Sequence, residues 1–370
     1  MDTWRRYPPR MPRSSPGDAK IDDLDRQILY AVQVEPRATF SELADVLGVS
    51  EQTVARRFRR LHADGVVRVL GLVNPSRLGR TDWVVRVQVR PDAATALADA
   101  LARRDDVSWV TLVSGGSEVV CVTRPDSDDQ RDELLLQRLP RTAQVLGFSA
   151  QALLHRFGPP AGPDWTGFAD SLSDGQLARL VRPERTPRDD AVTLEPEDAP
   201  LVAALRTNGR ASYADLAKAT GWTAGRVARR LEGLRASGVL YFDVELAQAM
   251  IGFSALAFMW LTVAPSDLEA TGEALIRHRQ VAFCGAITGA ANLMTALVCR
   301  DSADLYRYVT TEVGAIATVR QVEISPVLRR LKQAGTLMAG PRLVGEGPPP
   351  PRPAGRPGRM AGSGRGLTGS

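Results

Sequence analysis

One sequence pattern occurs twice in this chain, and the repeat constrains the fold more than any other feature. Residues 22–66 align with residues 195–239 without a gap, at a constant offset of 173 positions. The segment RATFSELA (37–44) corresponds to RASYADLA (210–217), and Gly48 corresponds to Gly221. An ungapped repeat that keeps its turn residues indicates duplicated structural units. The 370-residue chain is therefore predicted to contain two copies of one domain plan.

Each copy begins with three amphipathic helices. In the first copy, apolar residues at helical spacing predict helices over 22–34, 41–48 and 50–63. Ser41 is expected at or beside the N-cap of the second helix, Gly48 ends that helix, and Ser50 caps the third. In the second copy the same pattern predicts helices over 196–207, 212–220 and 223–236. Short helices joined by a glycine turn are typical of a helix-turn-helix.

The third helix of the first copy has an unusually basic outer face. Val54, Phe58 and Leu61 form its buried stripe, which leaves the polar and basic residues outside. Arginine donates to phosphates and to base edges, so the helix is a candidate DNA reader, with a solvated helix face as the alternative. The candidate DNA-binding residues are Ser50, Gln52, Thr53, Arg56, Arg57, Arg59 and Arg60 in the first copy and Thr223, Arg226, Arg229 and Arg230 in the second. We expect Ser50, Gln52, Thr53 and Arg56 to contact bases, and the other first-copy arginines to hold phosphates or the helix scaffold.

A wing and a mixed domain are predicted to follow each set of helices. The segments after Gly65 and Gly238 alternate as a β-hairpin or short strand, and the next residues have the order β-α-β-β-α-β of a ferredoxin-like unit. The fold class is therefore α+β, with a winged helix-turn-helix and a ferredoxin-like domain in each copy. The expected segments are 1–20 (disordered and basic), 21–74 (winged helix-turn-helix), 79–157 (ferredoxin-like), 158–193 (linker), 194–246 (winged helix-turn-helix), 251–335 (ferredoxin-like) and 340–370 (disordered, rich in Pro, Gly and Arg).

Composition narrows the function classes. The net charge is +5, and nearly all of the positive charge is arginine, which permits a nucleic-acid partner. A genome rich in G and C would produce the same bias. The three cysteines form no C-x-x-C pair, so neither a disulfide scaffold nor a zinc site is predicted. The first residues lack the apolar core of a signal peptide, and no apolar run is long enough to span a bilayer, so a cytoplasmic protein is expected.

The repeated segments DDLDRQILYAVQVEPRATFSELADVLGVSEQTVARRFRRLHADGVV and LEPEDAPLVAALRTNGRASYADLAKATGWTAGRVARRLEGLRASGVL resemble the Lrp/AsnC family of transcriptional regulators. The resemblance extends over 21–157 and 195–335, although the usual family member has one copy per chain. It implies a partner in double-stranded DNA, no cofactor, and a second domain (RAM or ACT-like) that self-associates, either within the chain or as a homo-oligomer.

The resemblance also implies a small-molecule effector, typically an amino acid, at the turn between the second and third strands of each ferredoxin-like domain. The candidate effector residues are Gly115, Gly116, Glu118, Thr288, Gly289 and Asn292. The aromatic residue and the aspartate of the family's turn, roughly T-G-x-[YF]-D, are absent from both copies, so a plain hairpin turn is the alternative. Two other functions stay open: a sirohaem-decarboxylase-like enzyme on the same fold, and an architectural DNA binder without an effector.

Overall fold

The computed structural model describes residues 21–158, 165–181 and 193–345. The predicted basic segment at 1–20, the two ends of the linker and the tail beyond residue 345 lie outside the described residues. Within them, no helix is both long and apolar enough to cross a membrane.

The first helical unit follows the predicted pattern closely. Its helices are α1 (Asp23–Val34), α2 (Phe40–Leu47) and α3 (Glu51–Ala63). Asp22 and Asp25 form a capping box at the start of α1, and Ser50 caps α3. The N-cap of α2 is Thr39 and not Ser41, because Thr39 forms the reciprocal capping box with Glu42. Gly48 ends α2 with φ 69°, the left-handed conformation that glycine adopts without strain.

The second helical unit repeats this plan. A short 3₁₀ turn (Pro196–Asp198) leads into α7 (Ala199–Thr207), which is followed by α8 (Tyr213–Thr220) and α9 (Ala224–Ala236). Ser212 and Thr223 cap α8 and α9 through their hydroxyl groups. Leu201, Leu216 and Leu231 are buried among the three helices and form their core.

The strand that follows each helical unit does not form a wing. Strands β1 (Val67–Val73) and β6 (Leu240–Leu246) pair with each other as an antiparallel ribbon, with Leu70 opposite Asp243 near the centre. Each segment is a single strand, as one of the two predicted alternatives has it, and the other alternative, a hairpin wing beside its own helices, is wrong. Most of β1 is buried, which explains why it pairs with its counterpart and does not project into solvent. We call this β1–β6 pair the ribbon.

Each copy then builds a β-α-β-β-α-β unit. In the first, the elements are β2 (Trp83–Val89), α4 (Ala94–Ala102), β3 (Val107–Val113), β4 (Glu118–Thr123), α5 (Asp128–Asp132) and β5 (Val145–Arg156). In the second, they are β7 (Ala255–Val263), α10 (Leu268–Ile276), β8 (Val281–Ile287), β9 (Leu293–Cys299), α11 (Ser302–Arg307) and β10 (Val319–Gln333). A turn of π-helix extends both α5 and α11.

The two four-stranded sheets join within the chain. Strand β5 pairs with β8, β10 pairs with β3, and β10 also pairs with β7. The eight strands therefore form a closed ring of hydrogen-bonded neighbours, and the helices pack on its outer surface. Val84, Val120, Phe258, Trp260 and Ile287 form an apolar cluster from both copies. Closure leaves neither sheet with an unpaired edge at these strands.

The linker and the start of the tail both carry regular structure. In the predicted linker, α6 (Asp174–Leu180) forms a helix, and Trp165 and Phe168 are buried against the first helical unit. The predicted disordered tail begins with β12 (Arg342–Val344), which pairs with β11 (Thr336–Ala339). The expectation of a disordered tail is wrong at residues 342–344, whereas the pattern of the linker itself favours a short helix over 171–181, as found. In both segments a few apolar side chains are enough to dock the chain on an existing core.

Candidate nucleic-acid interface and effector site

The N-terminus of α3 is fixed by its own cap. The Ser50 hydroxyl accepts from the Thr53 backbone N–H (3.2 Å) and lies 2.8 Å from the Thr53 hydroxyl. Gln52, which lies between these two residues in the first turn of α3, is exposed. Two of the four expected base-contacting residues therefore already take part in a local cap, and Gln52 and Arg56 present side chains with no such role.

Two of the α3 arginines point back to α1. Arg57 donates to Asp22 (2.6 Å) and to Asp25 (3.0 Å), and Arg60 donates to the other oxygen of Asp25. The Asp25 side chain is only 1% exposed, so it needs these cationic partners. The hydrogen bond from Arg57 lowers the pKa of Asp22, and the same carboxylates raise the pKa of Arg57.

The remaining arginines of α3 face solvent. Arg56 and Arg59 are both exposed, and within the described residues Arg56 has no hydrogen bond or ion pair. The Arg59 guanidinium lies 5.9 Å from the centre of the Phe40 ring. Gln52, Arg56 and Arg59 are therefore the side chains on the exposed face of α3 that a partner could contact. Arg57 and Arg60 pair with Asp25 and stabilise the helical unit, although Arg60 is also partly exposed.

Helix α9 shows the same division. Arg230 donates to Asp198, which is fully buried, as its equivalent Arg57 does to Asp25. Arg226 pairs with Glu197 (2.7 Å) and lies 4.2 Å from the centre of the Trp222 ring. Thr223 is used as the N-cap. Arg229 is exposed and is the one arginine among the four candidates on this helix without a partner in the part of the chain that the structure describes.

A reciprocal pair of arginines joins the two helical units, and the sequence did not reveal its role. Arg37 donates to the backbone oxygens of Gly209 and Ala211, and Arg210 donates to those of Pro36 and Ala38. We call these contacts the arginine clasp. Burial lowers the pKa of both arginines, and for Arg210 the charge of Arg37 lowers it further, to about 10. The only signal in the sequence was that the two residues occupy equivalent positions of the repeat.

The arginine clasp also packs on aromatic rings. The Arg210 guanidinium lies 5.1 Å from the centres of both the Phe40 and the Phe58 rings, and that of Arg37 lies 5.4 Å from the Tyr213 ring. Such contacts favour a desolvated guanidinium. Because each arginine satisfies the backbone of the opposite unit, the clasp holds the α1–α2 loop against the α7–α8 loop.

The polar side chains of the two candidate effector turns already form hydrogen bonds within the protein. Gly115 and Gly116 adopt positive φ angles in the β3–β4 turn, and Glu118 accepts from Arg86 at 2.6 Å. In the β8–β9 turn, Thr288 accepts from the Ala152 backbone N–H, and Gly289 lies beside Gln151. Asn292 binds Val263 twice, accepting from its N–H and donating to its carbonyl.

The described residues show neither a group of metal ligands nor an exposed thiol. They contain no group of three or more His, Cys, Asp or Glu side chains that could hold a metal ion. The three cysteines are buried, and burial raises the pKa of each thiol to about 12. Among the histidines, His278 contacts the Tyr308 hydroxyl at 3.1 Å, and the His62 ring stacks on Phe58.

Comparison with known proteins gives the family. The AsnC-type helix-turn-helix domain matches residues 21–62 and again 198–235, and the Lrp/AsnC ligand binding domain matches residues 256–337. An uncharacterized HTH-type transcriptional regulator of Pyrococcus furiosus is 31% identical over 121 residues, which are 32% of this chain and 82% of that protein. This chain belongs to the Lrp/AsnC family of transcriptional regulators. The HTH-type transcriptional regulator LrpA of Mycobacterium tuberculosis is also 31% identical, over 34% of this chain and 85% of that protein.

Among the solved structures, some match most of the length of this chain. The crystal structure of the siroheme decarboxylase NirDL covers 84% of this chain and 92% of its own, with a TM-score of 0.56 and 14% sequence identity. At that identity the likeness establishes a shared fold alone. The relatives with higher identity are regulators, and this chain is a DNA-binding transcriptional regulator of the Lrp/AsnC type.

Proposed function

We propose that the chain binds an asymmetric DNA operator through two unlike helix-turn-helix units held together by one polypeptide. The observation that carries this proposal is the ribbon together with the arginine clasp, which join the two units at equivalent positions. Domains bounded at 21–74, 79–157, 194–246 and 251–335 are part of the proposal.

In this proposal α3 supplies sequence specificity. Gln52 and Arg56 lie one helical turn apart on the exposed face. An amide side chain can bind adenine in a bidentate manner and a guanidinium can do the same with guanine, each contact being worth about 1–3 kcal/mol of discrimination. Ser50 and Thr53 position the helix through the cap, and the proposal assigns phosphate contacts to Arg59 and Arg60. Arg57 acts through the scaffold.

Helix α9 is assigned a weaker, mostly electrostatic role. The position of Gln52 is occupied by Gly225, which cannot contact a base edge with a side chain. Arg229 is the exposed arginine equivalent to Arg56, while Arg226 and Arg230 are engaged with Glu197 and Asp198. The second unit therefore adds phosphate contact, which strengthens binding to all sequences alike.

The proposal further holds that the chain acts by binding and not by catalysis. It is supported by relatives named as regulators and by packing contacts of His62 and His278. An absorbance titration with sirohaem tests this point. We expect no spectral shift and no loss of carboxylate from the tetrapyrrole, and turnover of sirohaem would refute it.

Fluorescence anisotropy tests DNA binding, using the DNA upstream of the protein's own gene and scrambled DNA of equal length. The double variant Gln52→Ala with Arg56→Ala should lose at least about 30-fold in affinity for the specific DNA, the equivalent of two base contacts of about 1 kcal/mol each, and little for scrambled DNA. Arg229→Ala should weaken both and reduce the salt slope by about 1. Arg103→Ala, an exposed arginine on the ferredoxin-like surface, is the matched control. Unchanged sequence preference in the double variant would refute the assignment, and no binding to either DNA at low salt would refute the proposed function.

A further inference from the structure

The two ferredoxin-like units meet through faces that are equivalent in position but unlike in residues. An offset of 174 relates their strands, since Val85 pairs with Ala150 as Met259 pairs with Ile324. The two halves are therefore arranged like the subunits of a two-fold dimer. We call residues at equivalent positions of the two halves counterparts, and compare them where the halves touch.

The buried residues between the two sheets differ in size from one half to the other. In the described chain, the first half contributes three buried side chains to this cluster, all of them valines, and each has a larger counterpart. The pairs are Val84 with Phe258, Val113 with Ile287, and Val120 with Met294. The difference is reversed in two pairs of partly buried members, Val122 with Ala296 and Leu153 with Val327. Two first halves would leave space at the buried centre, and two second halves would crowd it.

One pair of counterparts combines a charge with an aromatic ring. The Arg86 guanidinium lies 4.3 Å from the centre of the Trp260 ring, and counterparts in contact lie on the two-fold axis. Arg86 also donates to Glu118 of its own half (2.6 Å) and to Glu323 of the other half (2.5 Å). The counterpart of Glu323 is Ser149. Two first halves would therefore bring two guanidinium groups together and lack the second carboxylate, which disfavours the pair.

The ribbon shows the same preference at a second contact. Leu70 and Asp243, which are counterparts at the offset of 173, face each other at its centre. Two β6 strands in this register would put Asp243 opposite a second Asp243, and like charges directly opposite each other destabilise a strand pair. The arginine clasp has no such preference, because Arg37 and Arg210 are the same residue type at equivalent positions. Selectivity therefore comes from the sheets and the ribbon.

We propose that each half of this chain accepts only the unlike half of the same chain as its partner, so that one chain is the complete binding unit. Size and charge at the two contacts, and not the linker alone, exclude symmetric dimers of first halves or of second halves. The two unlike helix-turn-helix units then always occur together. The pairing is measured without DNA, so its failure and the failure of the proposed function are separate results.

Engineered cysteines at the junctions of the two sheets test the pairing in the full chain. Leu153 lies opposite Ile287, and the counterpart junction places Val327 opposite Val113. Residues directly opposite each other in paired strands are close enough for a disulfide. Two double variants test unlike pairing and should give internally cross-linked monomers after mild oxidation: Leu153→Cys with Ile287→Cys, and Val113→Cys with Val327→Cys. Two others join positions that meet only when like halves pair, and should not cross-link: Leu153→Cys with Val113→Cys, and Val327→Cys with Ile287→Cys.

Non-reducing electrophoresis separates monomers from covalent dimers, and mass spectrometry of the linked peptides identifies the bond. The unmodified chain, oxidised in the same way, is the control for the three buried native cysteines. Circular dichroism of each variant before oxidation shows that it is folded.

A second measurement does not depend on new cysteines. Val84→Phe gives the first half the larger residue of its counterpart, and should lower the urea midpoint of unfolding by at least about 0.3 M, because the buried centre is then overfilled. Adding Phe258→Val should restore part of the loss. Gln88→Phe, at an exposed position of the same strand, is the matched control and should leave the midpoint unchanged.

Four results would overturn the proposal. A covalent dimer from either like pair would show that like halves associate, and a covalent dimer from an unlike pair would show that the sheets close between chains. Folded unlike-pair variants that form no cross-link would show that the halves do not meet at these junctions. A Val84→Phe variant as stable as the unmodified chain would show that size does not select the partner.

Discussion

Replacing each of two adjacent arginines of α3 by alanine should affect different properties, DNA binding for one and stability for the other. Arg56 is exposed and lacks an ion pair within the described residues, whereas Arg57 is 20% exposed and bonded to Asp22 and Asp25. Arg56→Ala should therefore weaken specific DNA binding and leave thermal stability unchanged. Arg57→Ala should lower stability and reduce DNA binding only through the loosened helical unit.

The size of the stability loss depends on which cationic partners Asp25 retains in the variant. A buried carboxylate left with no cation costs about 3–5 kcal/mol, and an exposed ion pair contributes about 0–1 kcal/mol. After Arg57→Ala, Asp25 still has Arg60, and Asp22 is more than half exposed, so we expect about 1–2 kcal/mol of lost unfolding free energy. Replacing Arg60 as well removes both cations and should cost more than the sum of the single changes.

Urea unfolding followed by circular dichroism gives the unfolding free energy of each variant. Fluorescence anisotropy with the DNA upstream of the protein's own gene gives its DNA affinity. Arg56→Ala serves as the matched control, because it removes the same charge from the neighbouring position. Equal stability of the Arg57→Ala variant and the unmodified chain, with DNA binding weakened as in Arg56→Ala, would refute the argument. It would mean that Arg57 leaves Asp25 and contacts DNA.

Other regions give three more predictions. Replacing Arg37 and Arg210 together by alanine removes the arginine clasp, and should reduce the affinity for the intact operator relative to its better half-site by about tenfold, measured by anisotropy. Burial alone would raise the pKa of Asp198, but its hydrogen bond from Arg230 and that with the Glu195 backbone lower it overall. The stability contributed by this carboxylate is therefore complete above its unfolded pKa of about 3.9 and is lost as the pH falls through its lower folded value. Thermal melts between neutral pH and acid should show this loss, and Asp198→Asn should reduce the slope. The thiols should not react with Ellman's reagent at pH 8 until the protein is unfolded, and one that reacts at once would contradict the burial of Cys121, Cys284 and Cys299.

Local patterns in the sequence were sufficient for the helices and strands. Caps such as Ser50 and stops such as Gly48 act within a few residues, so the sequence places α1 to α3 nearly to the residue. The wing was predicted wrongly because β1 is paired by a strand that lies far away in the chain. A local alternation of apolar residues predicts a strand but does not identify its partner.

The candidate site was predictable in part for the same reason. Helical periodicity identifies the outer face of α3, but it cannot show that Asp25 removes Arg57 from that face. The arginine clasp and the docking of Trp165 depend on contacts between distant segments. For Asn292, a candidate effector residue, the deciding contact is also distant in sequence: its side-chain amide is hydrogen-bonded to the backbone of Val263.

The ribbon changes how DNA occupancy depends on the amount of protein. A regulator that must dimerise before it binds has an occupancy that rises with the square of its concentration when it is scarce. Here the two helical units are joined covalently, and the ribbon forms at an effective concentration that dilution does not change. Occupancy of the operator should therefore rise in direct proportion to the number of chains.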